Sequence, residues 1–247
     1  GKTTTLDAFL REVTNPEIKI ITLEDPIEYH LAGVQQTQVE ADRGYTFADG
    51  LRAILRQDPD VILVGEIRDK ETAEIAIQSA LTGHIVFSTL HTNDAAGAIP
   101  RFIDMGVNPT ILSGALIDIM AQRLLRRVCP HCKKEYRPSD EEMARIKKAL
   151  APLPKEILDT LPKQYLLFKG EGCPQCNGTG YKGRISVYEI INVDREIEKM
   201  IAKSPAHVEI LEAVQKKGFI SMYQDGVIKV VQSITTLEEV ENVVGKE

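Results

Sequence analysis

Aromatic residues are scarce in this chain of 247 residues: tryptophan is absent, and phenylalanine and tyrosine bring the aromatic share to only 5%. Sites for single-stranded nucleic acid use such side chains to stack bases, so this class of function has little support. Basic residues are also in the minority, because 30 lysines and arginines face 36 aspartates and glutamates, a formal charge of −6. Duplex binding depends on clustered cations, and we therefore expect no nucleic-acid partner.

Long apolar runs are missing as well. The longest stretch without a charged side chain runs from Ile75 to Asn93, and polar residues interrupt it repeatedly. A membrane-spanning helix needs about 20 mainly apolar residues. No basic segment followed by an apolar one opens the chain as a signal peptide would. We therefore expect a cytoplasmic protein.

Short apolar runs alternate with segments of helical spacing in the first half of the chain. Strands are predicted over residues 18–23, 61–64 and 85–90, and helices over 6–13, 46–57, 71–82, 95–105 and 111–125. This alternation predicts an α/β fold in which helices cover both faces of a mostly parallel sheet.

The alternation fades after Arg127. A charged and mostly helical insert follows, then a strand over 184–193, then short helices to the end of the sequence. We therefore expect three domains: an α/β core over 1–127, a cysteine-bounded insert over 128–183 and a mainly helical C-terminal lobe over 184–247.

Gly1-Lys2-Thr3 matches the end of the phosphate-binding motif GxxxxGK[ST]. In this motif, backbone N–H groups surround the phosphates, the lysine contacts the β and γ oxygens, and the hydroxyl binds Mg²⁺. The next helix then points its amino end at the anion. The chain begins inside the motif, and three residues alone are better explained by a tag remnant or an exposed lysine of no special role.

Three predicted strands are followed by acidic residues or a histidine. Glu24 and Glu28 follow the first strand, Glu66 the second and His91 the third. Each alone fits a solvated loop, a strand-end turn or a structural imidazole. The carboxyl ends of parallel strands, however, share one edge of the sheet, where ligands bind. Together with Gly1-Lys2-Thr3, these residues predict a nucleoside triphosphate site.

The four cysteines form two CxxC pairs, which are separated by 40 residues. Four thiolates make a closed tetrahedral zinc site, which is structural because no position remains for water. Gly178, Gly180 and Gly183 can supply the tight turns of such a site. Unliganded thiols and a redox pair are the alternatives, and His131 would be an unnecessary fifth ligand. The predicted zinc ligands are Cys129, Cys132, Cys173 and Cys176.

Five segments occur in an order that resembles the secretion ATPases of type II secretion and type IV pilus assembly. They are GKTTTL, ITLEDPIEY, RAILRQDPDVILVGEIRD, TGHIVFSTLHTNDA and CPHC…CPQC. The resemblance implies a RecA-like ATPase that works as a homo-hexameric ring, peripheral to the cytoplasmic face of the inner membrane. It also implies ATP hydrolysis that moves a membrane platform protein and adds pilin or pseudopilin subunits to a fibre. The cysteine pairs favour the assembly and secretion branch over the retraction ATPases.

The resemblance also implies roles for single residues. Lys2 would contact the β and γ phosphates of ATP and Thr3 would bind Mg²⁺, with Gly1 and Thr4 in the same loop. Glu66 has the Walker B position, Glu24 belongs to the acidic box with Glu28 as a second member, and His91 would sense the γ-phosphate or couple domains. Either Glu24 or Glu66 could be the general base.

Three arginines flank the predicted site. Arg52, Arg56 and Arg68 would either reach a phosphate across a subunit boundary or form structural ion pairs. The start of the phosphate-binding motif and the family's preceding domain are absent from this sequence, so we expect weak or no ATPase activity from this chain alone. The alternatives are a RecA-like, nucleic-acid-dependent ATPase with a zinc ribbon, and a non-catalytic scaffold.

Overall fold

A four-stranded parallel sheet lies at the centre of the first half of the chain. Leu23 is opposite Val64, and Val64 is opposite Ser88, so three of the strands end level with one another. The spatial order is β2-β1-β3-β4, with β1 at Ile20–Glu24, β2 at Val34–Gln38, β3 at Val61–Val64 and β4 at Ile85–Ser88. The side chains of β1 and β3 are all buried, as expected for strands covered on both faces. The predicted α/β fold with a parallel sheet is confirmed.

Local sequence signals explain where the helices of this half begin. Thr46 and Asp49 form a capping box before α2, and Asp69 accepts a hydrogen bond from the first turn of α3. Gly83, just beyond α3, has a φ of +102°, a conformation that favours glycine. The helices are α1 (Lys2–Val13), α2 (Phe47–Leu55), α3 (Lys70–Leu81), α4 (Ala98–Asp104) and α5 (Pro109–Ser113).

Helix α1 covers one face of the sheet. Its Leu10 belongs to a buried cluster with residues of three other segments, and Phe9 stacks on Phe87 of β4 with ring centroids 6.1 Å apart. Each fully buried aliphatic side chain stabilises the fold by about 1.5–3 kcal/mol. The buried members of the cluster are Leu10, Ile20, Leu31, Val61 and Leu63.

Two small sheets and six helices form the rest of the described chain. β5 (Asp118–Val128) pairs with β8 (Tyr181–Asn192), and β6 (Lys133–Tyr136) pairs antiparallel with β7 (Leu167–Gly170). Short helices follow β8, as the sequence predicts. The helices are α6 (Asp140–Leu150), α7 (Lys155–Leu158), α8 (Arg195–Ile201), α9 (His207–Gln215), α10 (Met222–Val231) and α11 (Leu237–Val244).

This computed structural model describes residues 1–246, which divide into two compact units. The first unit combines residues 1–119 with 192–211, and the second combines residues 120–191 with those from 212 onward. The expected domains at 1–127, 128–183 and 184–247 stay a prediction. Within residues 1–246, no helix has the length and apolar character needed to cross a membrane.

The predicted helix over residues 111–125 is wrong. Helix α5 ends at Ser113, and the extended strand β5 begins at Asp118. Ile119, Ala121, Leu125 and Val128 are the buried side chains of this strand. Its apolar residues fit more than one period, and pairing with the distant β8 decides for the extended form. Strand β2, a largely polar edge strand, and the antiparallel β6–β7 pair within the insert have no counterpart among the predicted strands.

Candidate functional site

Three predicted site residues lie at the carboxyl edge of the parallel sheet. Glu24 ends β1, Glu66 lies two residues beyond β3, and His91 lies three residues beyond β4. The backbone N–H of Gly65 donates to the carbonyl oxygen of Leu23 at 2.7 Å, which holds the segment before Glu66 against the end of β1. A Cβ at Gly65 would lie 3.0 Å from that oxygen, so glycine permits this close approach.

Glu24 is buried and held by two uncharged donors. The hydroxyl of Thr22 donates to Oε1 of Glu24 at 2.6 Å, and Nε2 of Gln36 donates to the same oxygen at 2.9 Å. These contacts fix the carboxylate at the sheet edge while adding no positive charge beside it. Neither Thr22 nor Gln36 is a predicted site residue. The polar Thr22 within an apolar strand was a usable signal, whereas the polar sequence of β2 gave none for Gln36.

Glu66 contacts two basic side chains. Nη2 of Arg68 donates to Oε1 at 2.5 Å, and Nε2 of His91 lies 3.0 Å from Oε2. Burial raises the pKa of Glu66, but the hydrogen bonds from Arg68 and His91 lower it by a larger amount. The pKa of this carboxyl therefore lies below its ordinary value. Glu66 is therefore a carboxylate at neutral pH, with both oxygens engaged.

Helix α1 points its amino end at the same edge. Burial raises the pKa of Asp7, and the negative charges of Glu24 and Glu28 raise it further. At the other end of α1, Cγ2 of Thr14 would lie 3.0 Å from a Cβ at Gly33, which precedes Val34, the partner of the first residue of β1. Helix α1 thus runs antiparallel to β1. Residues 1–4 form the turn before Asp7, and the backbone N–H groups of this turn suit an anion.

Some of the predicted site residues are in direct contact and others lie only at the same edge of the sheet. Glu66 and His91 are in contact, and Glu24 lies on the adjacent strand. Lys2 and Thr3 begin the helix that faces this edge, but within the described part of the chain the exposed Lys2 forms no hydrogen bond or ion pair with Glu24, Glu66 or His91.

The flanking arginines differ in their contacts. Arg52 forms an ion pair with Glu71 on α3, and a second one with Asp49 at 3.8 Å. Arg68, in contrast, pairs with Glu66 itself. Arg52 therefore forms ion pairs away from the sheet edge, whereas Arg68 belongs to the carboxylate site.

The four cysteine sulfurs form one cluster in the second unit. All lie within 4.8 Å of one another, and contacting pairs are 3.7–3.9 Å apart. These separations are too long for disulfide bonds, which measure about 2.05 Å. Tetrahedral thiolates about 2.3 Å from a zinc ion would lie about 3.8 Å from each other. The donor set thus fits a tetrahedral metal ion with no room for a further ligand.

Backbone contacts support the cluster. The N–H groups of Cys173 and Gly180 donate to the sulfur of Cys176 at 3.2 and 3.3 Å. Burial raises the pKa of the Cys176 thiol, but these hydrogen bonds and the neighbouring thiols lower it to about 6. For Cys132, burial and the neighbouring thiols instead raise the pKa to about 12. The loops cross closely, because a Cβ at Gly170 would lie 2.0 Å from the Gly180 carbonyl oxygen.

Many α/β domains that bind phosphorylated ligands share this arrangement, in which the amino end of a helix faces the carboxyl edge of a parallel sheet. The chain belongs to the family described as type II/IV secretion system protein, whose family model matches residues 1–242.

Two relatives illustrate the range of this family. The chain is 48% identical over 240 residues to the type IV pilus assembly ATPase PilB of Thermus thermophilus, covering 97% of this chain and 26% of that protein. It is 47% identical over 247 residues to the type II secretion system protein E of Pseudomonas aeruginosa, covering 100% and 47%. The chain thus spans about a quarter to a half of these relatives.

Solved structures agree with this assignment. The pilus retraction motor PilT with bound ADP superposes with a TM-score of 0.67 and 28% identity, over 98% of this chain and 57% of that one. The Legionella pneumophila ATPase DotB has a TM-score of 0.66 over 98% and 56%, and at 22% identity it supports the fold alone.

Proposed function

We propose that this chain is the ATP-hydrolysing part of a motor subunit that powers fibre assembly in type IV pilus biogenesis or type II secretion. One observation carries the proposal: the Glu66–His91 contact at the sheet edge, beside Glu24 and opposite the amino end of α1. The relatives named for pilus assembly and type II secretion support the biological role. The core would be RecA-like.

The site residues divide the work of phosphoryl transfer. This reaction depends on positioning and charge neutralisation more than on covalent chemistry. ATP with Mg²⁺ would supply the transferred phosphoryl group when bound. Gly1, Lys2, Thr3 and Thr4 would hold the phosphates and the cation at the start of α1.

Glu24 and Glu66 are the two candidates for orienting or deprotonating the attacking water, and either fits the role of general base. Glu24 lies in a buried, uncharged setting, whereas Glu66 is paired with Arg68 and His91. His91 would contact the γ-phosphate, and its hydrogen bond with Glu66 would couple that contact to the Glu66 carboxylate.

Three further properties follow from the family. The subunit would work as a homo-hexamer, in the cytoplasm and peripheral to the inner membrane. Its partner would be the inner-membrane platform protein of the pilus or secretion machine. The cysteine cluster would hold a structural Zn²⁺, because four converging sulfurs with N–H donors leave no open coordination position.

The test is ATP hydrolysis by the full-length gene product. We expect Glu66→Gln to reduce turnover by a factor of about 10²–10⁴ while ATP still binds, because the amide cannot accept a proton. Glu74→Gln is the matched control, since Glu74 is an exposed glutamate on α3, and its turnover should equal that of the unmodified protein. Unchanged turnover in Glu66→Gln would remove Glu66 from the mechanism.

The same assay separates the two ATPase functions. Stimulation by the platform protein supports the fibre-assembly motor. Stimulation by nucleic acid would instead support the nucleic-acid-dependent ATPase.

A further inference from the structure

Hydrogen bonds are present at both ends of the loop that carries His91, residues 89–97. At its start, the hydroxyl of Thr89 donates to the carbonyl oxygen of Gly65 at 2.7 Å. At its end, the carboxylate of Asp94 accepts the N–H of Gly97 at 2.8 Å, just before α4. The side chain of His91 is 66% exposed, so packing alone does not fix its orientation.

A residue far along the chain contacts the end of this loop. Nε2 of His207 lies 3.0 Å from both carboxylate oxygens of Asp94, although 113 positions separate the two residues. His207 is the first residue of α9 and belongs to the same compact unit as the sheet. It is partly buried, and Asp94 is three residues from His91.

We propose that His207 is a positioning residue that, through Asp94, holds the 89–97 loop so that His91 meets Glu66. The inference rests on the proposed function only in that His91 serves the nucleotide site. Asp94 receives one loop N–H and one side chain from outside the loop, so the His207 contact connects the loop end to α9. Losing that contact removes this connection to α9, while the Thr89–Gly65 bond at the start of the loop remains.

We expect the segment that carries His207 to keep its fold without this contact, because Ile210 of α9 is fully buried. Helix α8 packs on α5, and its Ile197 and Ile201 are fully buried. The N–H of Val193 also donates to the carbonyl oxygen of Ile117 at 2.8 Å. Substitution of His207 therefore tests positioning rather than folding.

The structural arm uses histidine-labelled NMR of this chain, which contains five histidines. His207→Gln keeps a side-chain N–H donor, and His207→Met has similar length without one, while neither has a ring that would shift neighbouring signals. We expect His207→Met to move the His91 imidazole resonance away from its position in His207→Gln, with His84 unchanged. Val208→Ala, at the exposed next position on α9, is the control and should move none of them.

The activity arm uses the full-length gene product. We expect His207→Met to lower kcat for ATP by a factor of about 3 to 30 with KM nearly unchanged, and His207→Gln to restore most of the loss. Equal His91 resonances in His207→Gln and His207→Met would overturn the proposal, even if activity fell. Absence of ATP hydrolysis in the unmodified protein would refute the proposed function, and the NMR comparison would still decide the positioning role.

Discussion

Removal of one cysteine sulfur is the most direct test of the proposed zinc centre. The variant is Cys132→Ser, at a partly buried position where the smaller oxygen disturbs packing little. Metal ligands must be deprotonated, and a serine hydroxyl does not ionise near neutral pH as a thiol does. The variant would therefore leave three thiolates and an incomplete tetrahedron.

The size of the effect follows from the loop that the metal closes. Cys132 and Cys173 are separated by 40 residues, which include the antiparallel β6–β7 pair. The chain-entropy relation for a cross-link over a loop of this length gives about 4 kcal/mol. At about 1.4 kcal/mol per factor of ten, the opening equilibrium of the loop should rise about 10³-fold.

Two measurements check this prediction: zinc content by mass spectrometry and hydrogen exchange of backbone amides. We expect the unmodified chain to hold one equivalent of zinc, and Cys132→Ser to lose it. Amides of β6 and β7 should then exchange up to about 10³-fold faster, while those of β1 and β3 in the other unit stay protected. His131→Ala is the control, because this exposed neighbour should keep both the zinc and the protection. An unmodified chain without zinc would refute the reasoning.

Three further predictions concern single side chains. Burial raises the pKa of Glu239, but hydrogen bonds from Arg126 lower it by a larger amount, so that it lies below its ordinary value. The Arg126–Glu239 contact therefore stabilises the fold at pH values above the ordinary glutamate pKa of about 4.3, and this contribution is lost as the pH falls through the lower folded-state pKa. Glu239→Gln should consequently flatten the fall of the melting temperature below about pH 4.3. Gly180→Ala would place a Cβ 2.6 Å from a backbone oxygen of β7. It should lower the melting temperature clearly more than Gly178→Ala, where φ is also +76° but no atom lies within 4 Å of the added Cβ. Equal losses of melting temperature in the two variants would contradict the packing argument. Arg52→Ala removes only exposed ion pairs and should leave the melting temperature unchanged, and a clear drop would show that these pairs matter for stability.

Local patterns in the sequence were sufficient for the fold class and much of the candidate site. Continuous apolar runs such as Val61–Val64 gave the buried strands, and parallel topology then placed the residues that follow them at one edge. Glu24, Glu66 and His91 could therefore be predicted as neighbours. The CxxC spacing likewise predicted four sulfurs within reach of one metal ion.

Only the tertiary structure decided which distant partners these residues have. Gln36, which holds Glu24, comes from a polar edge strand with no local signal, and pairing with β8 made a strand of the segment predicted as a helix. The contact of His207 with Asp94 joins residues 113 positions apart. Periodicity records which face of a segment is buried, but not which distant segment packs against that face. That choice depends on how the whole chain folds back on itself.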